Sequence, residues 1–209
     1  ARSLYADGLT PEPQRIFDAL ETLHQTLAQH LQDIWPQLHA AHQIQEPYAP
    51  NAQQSNARAL ANRALVYLTR IDAGEAAKKQ FDTANNMTQQ QAALSALLSV
   101  EKGAEQAQAF YRQWKEDRLV IDKWFALQVA FAPPEKAAIV AKSLTQHEDF
   151  NWKNPNRFRA VFGSLAGNMA GFHHLSGQGY ELMVQWLSRL EQINPQTAAR
   201  MCGAFKTWR

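Results

Sequence analysis

Apolar residues in this chain recur at spacings of three and four, again and again, and no stretch alternates apolar with polar as a half-buried strand does. That periodicity restricts the chain to helices whose apolar stripes must find one another. Nine Gly and nine Pro punctuate 209 residues, and many fall where one stripe stops and the next begins. The expected fold class is therefore all-α, with roughly ten helices joined by short loops. Successive helix pairs suggest a HEAT/armadillo-like superhelix of antiparallel helix pairs, held by packing between neighbours.

The stripes can be followed along the chain. Leu20, Leu23, Leu27, Leu31 and Ile34 share one face of a long first helix, which Pro36 should kink or interrupt. Glu46-Pro47-Tyr48-Ala49-Pro50 reads as a linker, because each Pro disfavours helix in the residue before it. Leu60, Ala64 and Leu68 mark a second helix ending near Gly74. Thr88 is placed as an N-cap, with Gln91 completing a capping box, and the helix that follows is apolar almost all round and expected to be buried. Gly103 separates it from a helix carrying Phe110 and Trp114. Val120, Trp124, Leu127 and Phe131 form the next core face, and Pro133-Pro134 stops that helix and starts one with Ala137, Val140, Ala141 and Leu144. Asn154-Pro155 and Asn194-Pro195 each read as a cap followed by Pro at the first helical position, where the missing N–H costs nothing. The first should bury Phe158, Phe162, Leu165 and Met169, and the second Ala198, Met201, Phe205 and Trp208. Between them a turn-rich run, Gly171 to Tyr180, leads into a helix with Leu182, Val184, Trp186 and Leu187.

Composition narrows the function classes. With 21 Lys+Arg against 19 Asp+Glu, the net charge of +2 gives no reason to expect nucleic acid or an anionic membrane as partner. No apolar run approaches the ~20 residues of a membrane span. Cys202 is the single cysteine, so no internal disulfide forms, and a reducing, cytoplasmic location is the expectation. The start, Ala1 to Gly8, has neither the apolar core of a signal peptide nor an initiator Met, which fits a cut or engineered start.

No catalytic constellation emerges. A zinc peptidase needs two His one turn apart, a third ligand and a carboxylate base. His39 and His42 stand three apart with no Glu between them, and His24 and His30 face different ways on one helix. His173 and His174 are adjacent and read as ordinary loop residues. Neither a nucleophile elbow nor a phosphate loop is present. The expectation is no catalytic residue, no metal site and no cofactor in this chain. The arginines are more informative. Arg157 and Arg159 lie about 100° either side of the stripe through Phe158, at borders between core and solvent, and Arg200 sits similarly beside Met201. Each is open to two readings: an ion pair within the fold, or a guanidinium lining a cavity and binding a carboxylate or peptide carbonyl. Asp122 and Lys123 are read as structural, pairing with neighbouring helices.

Several blocks, in order, carry a resemblance: Ala84-Asn85-Asn86-Met87-Thr88, Asp122-Lys123-Trp124-Phe125, Asn154-Pro155-Asn156-Arg157 with Arg159, Phe172-His173, Gly179-Tyr180 and Asn194-Pro195-Gln196. They resemble the C-terminal helical domain of the bacterial aminopeptidase N family, zinc exopeptidases that remove N-terminal residues from peptides. The resemblance is strong over 57–209, while 1–56 match only as a helical lead-in. It implies that 1–209 is a single helical domain, a fragment of a larger aminopeptidase whose own last helices are missing. It implies zinc in the parent's catalytic domain, whose His-Glu-x-x-His motif this sequence lacks, and partners in that catalytic domain and in peptide substrates. This chain would form the chamber wall and substrate passage, with Arg159 and Arg200 as substrate-binding residues. The family run Phe-His-x-x-Asp-Gly-Ser-Gly-Tyr here has Ser176 and Gln178 in place of the acid and the hydroxyl. The competing reading is a stand-alone helical-repeat scaffold that grips a protein or peptide.

Overall fold

The computed structural model describes residues 2–207. Among them every regular element is helical. In chain order these are α1 (Arg2–Ala6), α2 (Pro13–His30), α3 (Ile34–Ala41), α4 (Ala52–Ile71), α5 (Glu75–Thr83), α6 (Met87–Leu98), α7 (Ala104–Trp114), α8 (Arg118–Ala130), α9 (Pro134–Leu144), α10 (Pro155–Gly167), α11 (Met169–Phe172), α12 (Gln178–Glu191) and α13 (Pro195–Met201), closed by a 3-10 turn at Cys202–Lys206. The all-α expectation holds. The chain divides into two compact units, one of Leu20–Phe110 and one of Ala1–Ala19 with Tyr111–Arg209.

In the Leu20–Phe110 unit, α4 packs against α3, α5 and α6, and α5 packs on α6. Small residues let the helices approach closely: Ala61, Ala64, Ala77 and Ala93 are fully buried beside Leu65, Leu94 and Leu97. Trp35 stacks on Tyr67 with ring centroids 4.3 Å apart, and its Nε1–H donates to the Leu27 carbonyl at 3.1 Å. The side chain of Arg70 is 5% exposed and bonds both carboxylate oxygens of Glu21, at 3.0 and 3.2 Å.

Two expectations for this unit need correction. The face with Leu20, Leu23 and Ile34 is half exposed rather than core, and Leu60 is exposed as well. The stripe from Leu20 to Ile34 is interrupted as expected, between His30 and Ile34, just ahead of Pro36. The first helix ends at His30, and Pro36 sits in the first turn of α3, where backbone N–H groups have no intrahelical acceptor to lose. The α6 cap is Asn86, not Thr88: its Oδ1 accepts from the Gln89 N–H at 3.0 Å, while Gln89 Oε1 accepts from Asn86 Nδ2 at 2.5 Å. The cap lies two residues earlier than expected and is a variant of the box, since Gln89 takes the Asn86 side-chain amide in place of its backbone N–H. The apolar α6 is buried as expected, through Ala93, Leu94, Ala96 and Leu97.

In the other unit α8 lies against α10, and α9 contacts α8, α10, α11 and α12. Phe125, Phe158, Phe162 and Leu165 are fully buried. An aromatic chain runs from Phe125 through Phe150 to Phe162 and Trp186, with centroid separations of 5.4–6.3 Å. Asn168 locks α11 to the end of α8: its Nδ2 donates to the carbonyls of Val129 (3.1 Å) and Ala132 (2.8 Å), and its Oδ1 accepts from the Gly171 N–H. Gly179 is required by packing, since a Cβ there would stand 2.6 Å from the Phe172 carbonyl oxygen. Phe131 is expected in the core and is exposed, and Val184 of α12 is exposed as well. Met169 belongs to α11 rather than α10 and is half-buried, as are Met201 and Phe205, while Trp208 lies outside the described residues.

Candidate functional site

Asn154 begins α10 as the sequence indicates. Its Oδ1 accepts from the N–H groups of Asn156 (2.9 Å) and Arg157 (3.5 Å), and Pro155 occupies the first helical position. Asn194 repeats the device on α13, accepting from Thr197 at 3.0 Å. These caps fix the direction from which each arginine leaves its helix.

The two arginines flanking Phe158 then part company. Arg157 turns inward and is 6% exposed. Its Nε–H donates to Asp122 Oδ1 at 2.5 Å, an NH1 hydrogen goes to the Asp149 carbonyl, and the guanidinium lies 4.7 Å from the centre of the Phe125 ring. Of the two readings open for Arg157, the structural one applies, and Asp122 pairs with a neighbouring helix as expected. Arg159 turns outward. Its Nε–H donates to the Pro155 carbonyl at 3.0 Å and an NH2 hydrogen to Asn156 Oδ1 at 3.0 Å, both on its own helix, and it is exposed. Arg200 is exposed near the end of α13 and makes no side-chain bond to another described residue. Among the described residues no hydrogen bond joins Arg159 to Arg200, and neither is paired with a carboxylate.

The Asp149 region is a knot. While its carbonyl holds Arg157, its carboxylate accepts from the Tyr111 hydroxyl at 2.6 Å. That hydrogen bond, with burial behind it, pushes the Tyr111 phenol well above its usual range, so it stays a donor. The His147 ring is enclosed by Tyr111, Trp124 and Phe125 at 4.9–5.5 Å.

His173 proves more than an ordinary loop residue. Its Nδ1 is 2.6 Å from the Tyr180 hydroxyl and its Nε2 is 2.9 Å from Thr207 Oγ1. The Thr207 hydroxyl already gives its hydrogen to the Ala204 carbonyl, so it accepts from Nε2–H, which leaves Nδ1 to accept from Tyr180. This tautomer is neutral, and burial lowers the His173 pKa below its ordinary 6.5. The unfolded chain therefore binds the proton more readily than the folded one. Stability from this residue is fully present above about pH 6.5 and is lost as pH falls through the depressed folded value. A urea midpoint at about pH 5.5 is expected to be lower than at about pH 7.5, with the difference narrowed in His173→Gln. An identical pH dependence in the variant contradicts this.

Metal chemistry has no donor set. Among the described residues no group of three or more His, Cys, Asp or Glu could hold an ion. His39 Nε2 lies 3.1 Å from Gln80 Oε1, while His42 Nδ1 bonds the Leu38 carbonyl, so the pair have separate partners.

One feature of the Leu20–Phe110 unit escaped the sequence reading. A cleft of about 570 Å³ opens there between α3, the 43–48 segment, α4, α5 and the start of α6, with Arg58 in its wall. A signal for it existed. Arg58 is in register with Ala61, Leu65 and Leu68, so it lies on the buried stripe of α4, where a charge needs an explanation.

Comparison with known proteins matches this architecture. Residues 2–209 fit the family model described as a domain of unknown function with ARM repeats, DUF3458_C. The chain is 36% identical to Aminopeptidase N of Escherichia coli over 196 residues, covering 91% of this chain and 22% of that protein. It is 34% identical to Aminopeptidase N of Haemophilus influenzae, over 92% of this chain and 22% of that protein, and 33% identical to that of Caulobacter vibrioides, over 95% and 24%. A crystal structure of Legionella pneumophila aminopeptidase A in complex with aspartic acid superposes with a TM-score of 0.85 at 28% identity, over 95% of this chain and 25% of that one. This chain thus spans about a quarter of the proteins it matches. It belongs to the ARM-repeat family DUF3458_C and is homologous to the C-terminal part of aminopeptidase N.

Proposed function

We propose that this chain serves as the non-catalytic C-terminal domain of an aminopeptidase that removes N-terminal residues from peptides, forming one wall of its chamber and substrate passage. The observation that carries the reading is the asymmetry of coverage: more than nine-tenths of this chain aligns with relatives of which it spans about a quarter. The zinc that such enzymes are expected to use does not fit here, because no described group of side chains offers a ligand set. Hydrolysis is assigned to a catalytic domain outside this sequence. Among the described residues no helix is long and apolar enough to cross a membrane, and the free, exposed Cys202 suits a cytoplasmic enzyme.

What this chain contributes is binding. Arg159 is held at the start of α10 by Pro155 and Asn156, with the rest of its fork unused. Arg200 has no side-chain partner among the described residues. A positioned guanidinium gives a charge-assisted bond to a peptide carbonyl or terminal carboxylate. In the complete enzyme, Arg159→Ala or Arg200→Ala is expected to lower kcat/KM on tri- and tetrapeptides roughly tenfold to hundredfold, the worth of a charged hydrogen bond of ~1.5–3 kcal/mol. Unchanged kinetics in both variants would remove these residues from the substrate path.

A further inference from the structure

We infer that the cleft around Arg58 is a binding site for a small carboxylate that carries an adjacent amide, such as an N-acylated amino acid or the C-terminal end of a short peptide.

Arg58 carries a charge that no described carboxylate compensates. Arg58 is 4% exposed. Its NH1 donates to Gln54 Oε1 at 3.1 Å, and its NH2 donates to the Ala49 carbonyl at 3.3 Å and Ser55 Oγ at 3.2 Å. The Tyr48 ring covers it, 4.9 Å from the guanidinium carbon to the ring centre. All of these partners are neutral. Other buried guanidinium groups in this protein behave differently: Arg70 holds the carboxylate of Glu21, and Arg157 holds that of Asp122. Among the described residues no carboxylate lies within ion-pair distance of Arg58. Burying a cation without an anion is costly, and folded proteins otherwise avoid it.

The missing anion has a place to go. Arg58 forms part of the wall of a cleft whose volume of about 570 Å³ falls in the range of small-molecule sites. The bonds above leave the Arg58 Nε–H and one NH1 hydrogen to donate to a ligand carboxylate. The remaining walls point to what should accompany that carboxylate. Gln43, Asn85 and Gln89 line the cleft with carboxamides; Lys79 adds a second positive charge and Glu46 a single negative one, so the lining keeps a net positive charge. Carboxamides offer a donor and an acceptor side by side, the complement of a peptide group. Gln80 only shapes the wall, its Nε2 spent on Asn62 Oδ1 and the Gln89 carbonyl and its Oε1 lying 3.1 Å from His39 Nε2. This site is independent of the accessory-domain reading and involves neither Arg159 nor Arg200.

Titration calorimetry of the wild-type chain with N-acetylalanine, N-acetylalanine amide and inorganic phosphate tests the assignment. The expected result is binding of N-acetylalanine roughly tenfold or more tighter than its neutral amide. Arg58→Met should abolish that binding while leaving the helical circular dichroism spectrum in place. Should that variant misfold, Tyr48→Ala, at a half-exposed ring, is expected to weaken binding several-fold without loss of fold. A dipeptide with a free C-terminus binding more tightly than N-acetylalanine identifies the peptide as the source; the reverse order identifies an acylated amino acid. Equal affinity for acid and amide, no binding of either at tens of millimolar, or tighter binding of phosphate would each overturn the inference.

Discussion

Replacing Arg157 with alanine should lower the unfolding free energy by about 3–5 kcal/mol. The side chain is 6% exposed and joins three pieces of the Tyr111–Arg209 unit: Asp122 of α8, the Asp149 carbonyl in the loop after α9, and the face of Phe125. Truncation removes an attractive partner, but the larger cost lies in what stays behind. The Asp122 side chain is 17% exposed and would keep its charge in a place water hardly reaches, while the Asp149 carbonyl would lose a charged donor. Urea unfolding followed by tryptophan fluorescence reads this directly, because Trp124 packs against Phe125 at 4.9 Å. The neighbouring Arg159→Ala serves as the control. Its bonds are local and solvent-exposed, and it should change stability by less than about 0.5 kcal/mol. Pairing Arg157→Met with Asp122→Leu should restore much of the loss, because an apolar pair leaves no charge stranded. A cost under about 1 kcal/mol for Arg157→Ala would mean that the buried pair contributes no more than a surface one.

Arg157 and Arg159 also mark where the sequence stops being informative. Both stand one residue from Phe158, on opposite sides of the same stripe, so helical geometry treats them alike. What separates them is Asp122, 35 residues away in sequence, which α8 brings to one side only. The Asn-Pro caps were legible because they are local: the side chain, the fixed proline φ and the accepting oxygen lie within three residues. The capping box near Thr88 was legible in kind but not in position, since Asn86 and Thr88 can each cap and only the observed backbone decides. Leu20, Leu23 and Ile34 form a stripe as regular as any in the chain, yet stay half exposed. Periodicity reports which residues share a face and says nothing about whether another element covers it. The Arg58 cleft needed contributions from four helices and a connecting segment, and no single window of sequence contains it.

The aromatic core beneath α10 carries the second large effect. Phe162→Ala should cost about 3–5 kcal/mol. The ring is fully buried, stacked on Phe158 at 4.6 Å and tilted against Trp186 at 5.6 Å and Phe150 at 6.3 Å. Its neighbours belong to α10, α12 and the loop after α9, so no single element can shift to fill the void without drawing away from another. Phe162→Leu keeps most of the volume and should cost only about 1–1.5 kcal/mol, which separates cavity formation from loss of aromatic contacts. Differential scanning calorimetry of the two variants tests the ordering, and equal destabilisation would show that ring–ring geometry rather than filled space holds the core. The consequence reaches the surface, because Arg159 stands three residues before Phe162 on the same helix. If α10 is the rigid support that aims this guanidinium, Phe162→Ala in the complete enzyme should raise KM for peptides below the melting temperature, whereas Phe162→Leu should leave it nearly unchanged. A KM unmoved by Phe162→Ala would separate the aim of Arg159 from the packing beneath it.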